Sequence, residues 1–150
     1  MAISRRGFTL IELIAVIVIL GILATLALPK VKTLRMKAIK ASMIADLRNL
    51  VIAEEGFFAT YNDYAGSITT GKDVGGSAAG GGSVSFRLSP KNTLTLSRKN
   101  PATALGPGWS GVIANPQISG TNFTKCGVFV GSTSYAPNAA VKIAGVPTCY

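Results

Sequence analysis

Polarity along the chain changes twice. From Phe8 to Leu28 nearly every position is apolar, with Glu12 as the single charge. Then Met36, Ile39, Met43, Leu47, Leu50, Phe57 and Tyr61 recur at three-, four- and seven-residue steps. Such steps place them on one stripe of a helix, with Lys37, Arg48 and Glu55 on the far side. The first stretch is about 32 Å long as a helix, enough to span a hydrocarbon core. Together the two predict one helix from Phe8 to about Tyr61. Pro29 cannot donate to the carbonyl of Thr25, and Gly21 weakens the same half, so the helix should loosen between them.

Asn62-Asp63-Tyr64-Ala65-Gly66 is turn chemistry and predicts the helix end. Gly71–Ser83 carries Gly75-Gly76-Ser77 and Gly80-Gly81-Gly82-Ser83 and reads as a flexible loop. A phosphate cradle is excluded there, since no Gly-Lys-Ser/Thr closes it. Beyond it the polarity alternates in short pieces, which predicts strands. Val84–Leu88 and Thr93–Ser97 are expected to form a hairpin through Ser89-Pro90-Lys91-Asn92. Gly111–Ala114, Lys125–Val130 and Ala140–Ile143 are expected as further strands. The expected fold is α+β: a long N-terminal helix packed on a small antiparallel β-head. The segments are 1–7, 8–29, 30–64 and a head at 65–150 that contains loop 71–83.

Composition adds two points. The mean hydropathy of +0.41 reflects the N-terminal run, and the remainder is rich in Gly, Ser, Thr and Ala. A head of that size contributes little core and needs a staple. Cys126 and Cys149, the only cysteines, are the candidates. Export behind an apolar segment favours their bridging, which would close a C-terminal loop 126–149; two free buried thiols are the alternative. Net charge is +9, which suits polyanions such as DNA or anionic lipid and suits a plain solvated surface equally.

Enzyme chemistry has no support. The chain has no histidine and six acids, so no catalytic group, metal set or cofactor is expected. The informative acid is Glu12. A carboxylate in a membrane-depth segment costs roughly 2.5–3.5 kcal/mol and is by default functional. No cation in the same helix lies close enough to neutralise it, the nearest being Arg5, Arg6 and Lys30.

Arg6-Gly7-Phe8-Thr9-Leu10-Ile11-Glu12 resembles the class III signal of type IV pilins and the related pseudopilins. The resemblance covers about residues 1–64. It implies that 1–7 is a leader, that a prepilin peptidase cuts between Gly7 and Phe8, and that Phe8 is N-methylated. It further implies that Glu12 pairs with the Phe8 amine of a neighbouring subunit. Gly21 and Pro29 match the Gly and Pro where the family's helix can lose regularity in the assembled filament. The implied function is a structural subunit of a helical filament of identical chains. Its precursor would be held in the bacterial inner membrane with the N-terminus cytoplasmic, and an inner-membrane assembly platform would extract it. Charge alone points the other way: Lys30, Lys32, Arg35, Lys37 and Lys40 follow the apolar run, and the positive-inside rule would put them in the cytoplasm. A type II secretion pseudopilin, or a minor tip pilin binding DNA through a basic head, are the other readings. Asn122-Phe123-Thr124 matches a glycosylation sequon only weakly.

Overall fold

The computed structural model describes residues 7–75, 81–99, 104–118 and 123–150. Residues 1–6 of the expected leader, the centre of the Gly-rich loop (76–80) and Asn122 of the sequon lie outside them. The chain divides into two compact units, Met1–Lys37 and Ala38–Tyr150, and helix α1 (Leu10–Tyr61) contributes to both. Its start is two residues later than the pattern predicts, because Thr9 serves as a cap. Its end falls where the turn chemistry put it: Asn62 adopts a left-handed φ of 54° and its N–H reaches the carbonyl of Phe58.

In the first unit the helix is uncovered. Among the described residues from Leu10 to Leu34, exposure of the large apolar side chains ranges from 46% at Ile14 to 75% at Leu10. Nothing lies within 4 Å of a Cβ built on Gly21. Thr25 Oγ1 donates to the carbonyl of Ile22 at 2.7 Å, an intrahelical bond that satisfies its hydroxyl. No single helix among the described residues is long and apolar enough to cross a membrane. Leu10–Thr25 and Lys30–Tyr61 pass by length and composition only as a pair, across a break that contains Pro29.

The second unit is built in layers. Ile39, Met43, Leu47, Leu50 and Phe57 of α1 are buried, as their spacing predicts, whereas Met36 is half-buried and Tyr61 is 41% exposed. Against the stripe lies a sheet of β3 (Thr93–Lys99), β4 (Gly108–Ala114), β5 (Lys125–Val130) and β6 (Thr148–Cys149), in that order and antiparallel throughout. Trp109, Gly111 and Ile113 alternate onto the helix-facing side of β4, and a Cβ on Gly111 would sit 3.3 Å from Leu50. A larger residue there would push the two layers apart. The opposite face is covered by the C-terminal segment, where Phe129, Tyr135 and Val141 form a second cluster.

Three strand expectations fail. Val84–Leu88 does not form a hairpin with Thr93–Ser97. Only Ser83–Ser85 (β2) is a strand, and it pairs in parallel with Ser67–Thr69 (β1), which the alternation did not reveal. Parallel neighbours need a crossover, and the Gly-rich stretch supplies it. That stretch is also tied at its ends, since Val74 and Ser83 exchange backbone hydrogen bonds of 2.9 and 2.8 Å. The Ser89–Asn92 turn forms but is held by the helix rather than by a hairpin: Asp46 accepts from Ser89 N, Ser89 Oγ and Asn92 Nδ2. Ala140–Ile143 is not a strand. Local turns from Val141 N to Asn138 O and from Val146 N to Ile143 O take its backbone groups. The last strand is instead β6, whose Cys149 lies directly opposite Cys126 and is disulfide-bonded to it.

Candidate functional site

The N-terminal segment is the place where the chain departs most from a self-contained fold. Gly7 and Phe8 precede the helix in irregular, exposed backbone, with Phe8 85% exposed. Thr9 is the helix cap. Its Oγ1 accepts from Glu12 N at 3.3 Å, while Glu12 Oε2 accepts from Thr9 N at 2.9 Å and from Thr9 Oγ1 at 2.8 Å. This reciprocal arrangement satisfies donors that a helix start leaves open, and it places the carboxylate at the positive end of the helix dipole. Thr9 is the residue the sequence reading missed, although Thr-x-x-Glu before an apolar run is a legible capping signal. In the isolated chain Glu12 is therefore held by its own helix start and faces outward. Gly21 and Pro29 lie further along the same helix.

The head holds a different set of acids. Asp46 and Glu54 sit in the buried stripe of α1, both among apolar side chains. Asp46 is satisfied by the three donors of the Ser89–Asn92 turn, and Asn115 Nδ2 extends the network to Asn92 Oδ1 at 2.8 Å. Glu54 Oε2 accepts from Ala65 N at 2.9 Å, which pins the turn after the helix. Its Oε1 is buried with no hydrogen-bond partner. Burial pushes the Glu54 carboxyl up to about 7, the Ala65 N–H opposes this, and the carboxylates of Glu55, Asp73 and Asp63 add to it. Burial, then the neighbouring Glu55, likewise pushes the Tyr64 phenol up. Arg98 of β3 pairs with Asp63 bidentately, Nε donating to Oδ1 and Nη2 to Oδ2, which ties the helix end to the sheet edge. No group of three or more metal-binding side chains lies together among the described residues.

Residues 3–28 match the prokaryotic N-terminal methylation motif. Over this segment the chain is similar to type IV pilin and type II secretion pseudopilin sequences. The chain is similar to the type IV major pilin protein PilA of Myxococcus xanthus, 37% identical over 43% of this chain and 30% of that one. It is also similar to the type II secretion system core protein G of Klebsiella pneumoniae, 42% identical over 38% of each. The corresponding protein of Klebsiella michiganensis is 46% identical over 29% of this chain and 31% of that one. The chain thus matches about a third of the length of these curated relatives. No solved structure matches it. A long N-terminal helix followed by a small antiparallel sheet is the pilin-like α+β architecture expected from the resemblance.

Proposed function

We propose that the chain is a structural subunit of a bacterial type IV pilus. It is held in the inner membrane as a precursor and cut between Gly7 and Phe8 by a prepilin peptidase. It is then methylated at Phe8 and drawn by the assembly platform into a helical filament. The observation that carries this reading is the capped, uncovered apolar helix with one carboxylate at its start, joined to a head that covers its own stripe. An exposed apolar surface of that extent is stable only against lipid or against other copies. Apolar helices leave lipid for one another, and an unpaired carboxylate inside such a core is costly. Glu12 exchanges its Thr9 contacts for the Phe8 amine of a neighbour, and that exchange sets the axial docking position. Within the filament the segment between Gly21 and Pro29 loses regular helix, because neighbours can accept backbone groups that lipid cannot.

Mass spectrometry of sheared extracellular filaments should show a chain that begins at methylated Phe8. Glu12→Ala should be inserted and cut normally yet yield almost no filament. Filaments that retain Arg5 or Arg6, or normal filament yield from Glu12→Ala, would overturn the proposal.

A second reading rests on the similarity to two core proteins G: the chain serves as a pseudopilin of a type II secretion system. Deleting its gene would then block protein secretion and leave surface filaments intact, whereas a pilus subunit gives the reverse.

A further inference from the structure

Among the described residues, two buried side-chain atoms in the head have no hydrogen-bond partner, and they are complementary: the acceptor Glu54 Oε1 and the donor Trp109 Nε1. Both residues are fully buried. Their surroundings place them on the same stretch of the seam between α1 and the sheet. A Cβ built on Gly111 lies 3.1 Å from the Trp109 ring and 3.3 Å from Leu50, so both side chains flank the gap over Gly111. Glu54 follows Leu50 by one helical turn on the same face. In the other direction Trp109 is the cross-strand partner of Arg98, and Arg98 reaches Asp63 just past the helix end. Trp109 is thus bracketed between Leu50 and Asp63, the span that Glu54 and Phe57 occupy on the helix. Leaving a buried donor and a buried acceptor both unmade costs far more than one bond contributes.

We propose that Glu54 and Trp109 form a proton-switched pair across this seam. When Glu54 is protonated, Oε2 takes the Ala65 N–H and Oε1 carries the proton, so Oε1 and the indole N–H meet as two donors. When the proton leaves to solvent, Oε1 becomes an acceptor and Trp109 Nε1–H donates to it. The switch therefore acts where the helix, the following turn and β4 meet, and its state is transmitted through Ala65 to that turn. The charged and titratable groups around Glu54 are Glu55 on the helix, Asp63 and Tyr64 on the turn, Asp73 after β1 and Arg98 on β3. Arg98 is committed to Asp63, and the Tyr64 hydroxyl donates to Glu55 Oε1 at 3.1 Å. Burial first, and then the neighbouring carboxylates, disfavour the ionised form and raise the transition well above the ordinary carboxylate range.

Trp109 is the only tryptophan in the chain, so its emission reports the pair directly. In the full chain in detergent micelles, emission should titrate with a midpoint above the ordinary carboxylate range but below the value of about 7 that burial and the neighbouring carboxylates give without the indole donor. Glu54→Gln, which keeps the shape and cannot ionise, should leave emission flat from about pH 5 to 9. The side-chain carboxyl carbon of Glu54, followed by NMR, should titrate at the same midpoint. In Trp109→Phe that midpoint should rise by about one pH unit, because the ionised form loses its donor. A wild-type Glu54 midpoint in the ordinary carboxylate range, a Trp109 titration that persists in Glu54→Gln, or an unchanged Glu54 midpoint in Trp109→Phe would each overturn the pair. If one variant does not fold, the wild-type carbon titration and the other variant still decide.

Discussion

One helix serves two regions that are stabilised in opposite ways. In the first, from Leu10 to Thr25, α1 is apolar apart from Thr9-capped Glu12 and Thr25, and its large side chains are exposed. In the second the same helix is apolar along one stripe, and the sheet covers that stripe. The contrast teaches where each region's free energy comes from. Burial of apolar surface contributes roughly 25 cal/mol per Å². The head collects that within one chain, and the N-terminal helix can collect it only from lipid or from neighbours. Their acids follow the same division. Glu12 lies outward at a helix start and is held by Thr9, whereas Asp46 and Glu54 are inside and hold loops to the helix.

The sharpest way to break this contrast is a pair of truncations. Phe57→Ala should destabilise the head by about 3–5 kcal/mol, since it opens a cavity in the covered stripe. Ile17→Ala, equally apolar but bare, should change head stability by less than about 0.5 kcal/mol while lowering filament yield. Chemical denaturation of the full chain in micelles measures the first, and quantifying sheared filaments measures the second. Equal losses of stability from the two would erase the distinction.

Cys149→Ser tests the staple at the far end of the head. It should cost about 2–5 kcal/mol, because the closed loop restricts the unfolded chain. Intact protein should show no titratable thiol without reductant, and the variant should melt earlier.

The buried acid gives the head a pH profile that the bare helix lacks. Glu54 binds its proton more tightly when folded than when unfolded, so its contribution is fully present below the ordinary carboxylate range. It is lost as pH rises from about 4.5 to about 7, and over that window head stability should fall by about 3 kcal/mol. Denaturation midpoints at stepped pH check this, and the same series on Glu54→Gln should be nearly level. A wild-type profile that rises across the window contradicts the assignment.

The smallest effect belongs to the cap. Thr9→Val removes the hydroxyl that accepts from Glu12 N and donates to Glu12 Oε2, and should cost the N-terminal turn about 1 kcal/mol. The expected readout is faster amide exchange over Leu10–Leu13 in micelles, with head stability unchanged.

Much of this architecture was legible from local pattern. The helix and its end at Asn62 follow from three- and four-residue steps and turn chemistry. Lys125–Val130 follows from composition and alternation, because these signals depend on residues close in the chain. The Thr-x-x-Glu cap was equally local and simply went unread. Pairing partners were not legible. Val84–Leu88 has the look of a hairpin arm, yet Ser83–Ser85 joins Ser67–Thr69 in parallel, and Asp46 on the helix captures the turn that was to close the hairpin. The burial of Asp46 and Glu54 was hidden for the same reason. A carboxylate at a stripe position reads as a fault until the donors that satisfy it, Ser89, Asn92 and Ala65, arrive from 11 to 46 residues away. Periodicity is a property of neighbouring residues and survives in the bare chain. Polar satisfaction and strand pairing exist only once distant segments meet, because each depends on the free energy of a group whose partner the local sequence does not contain.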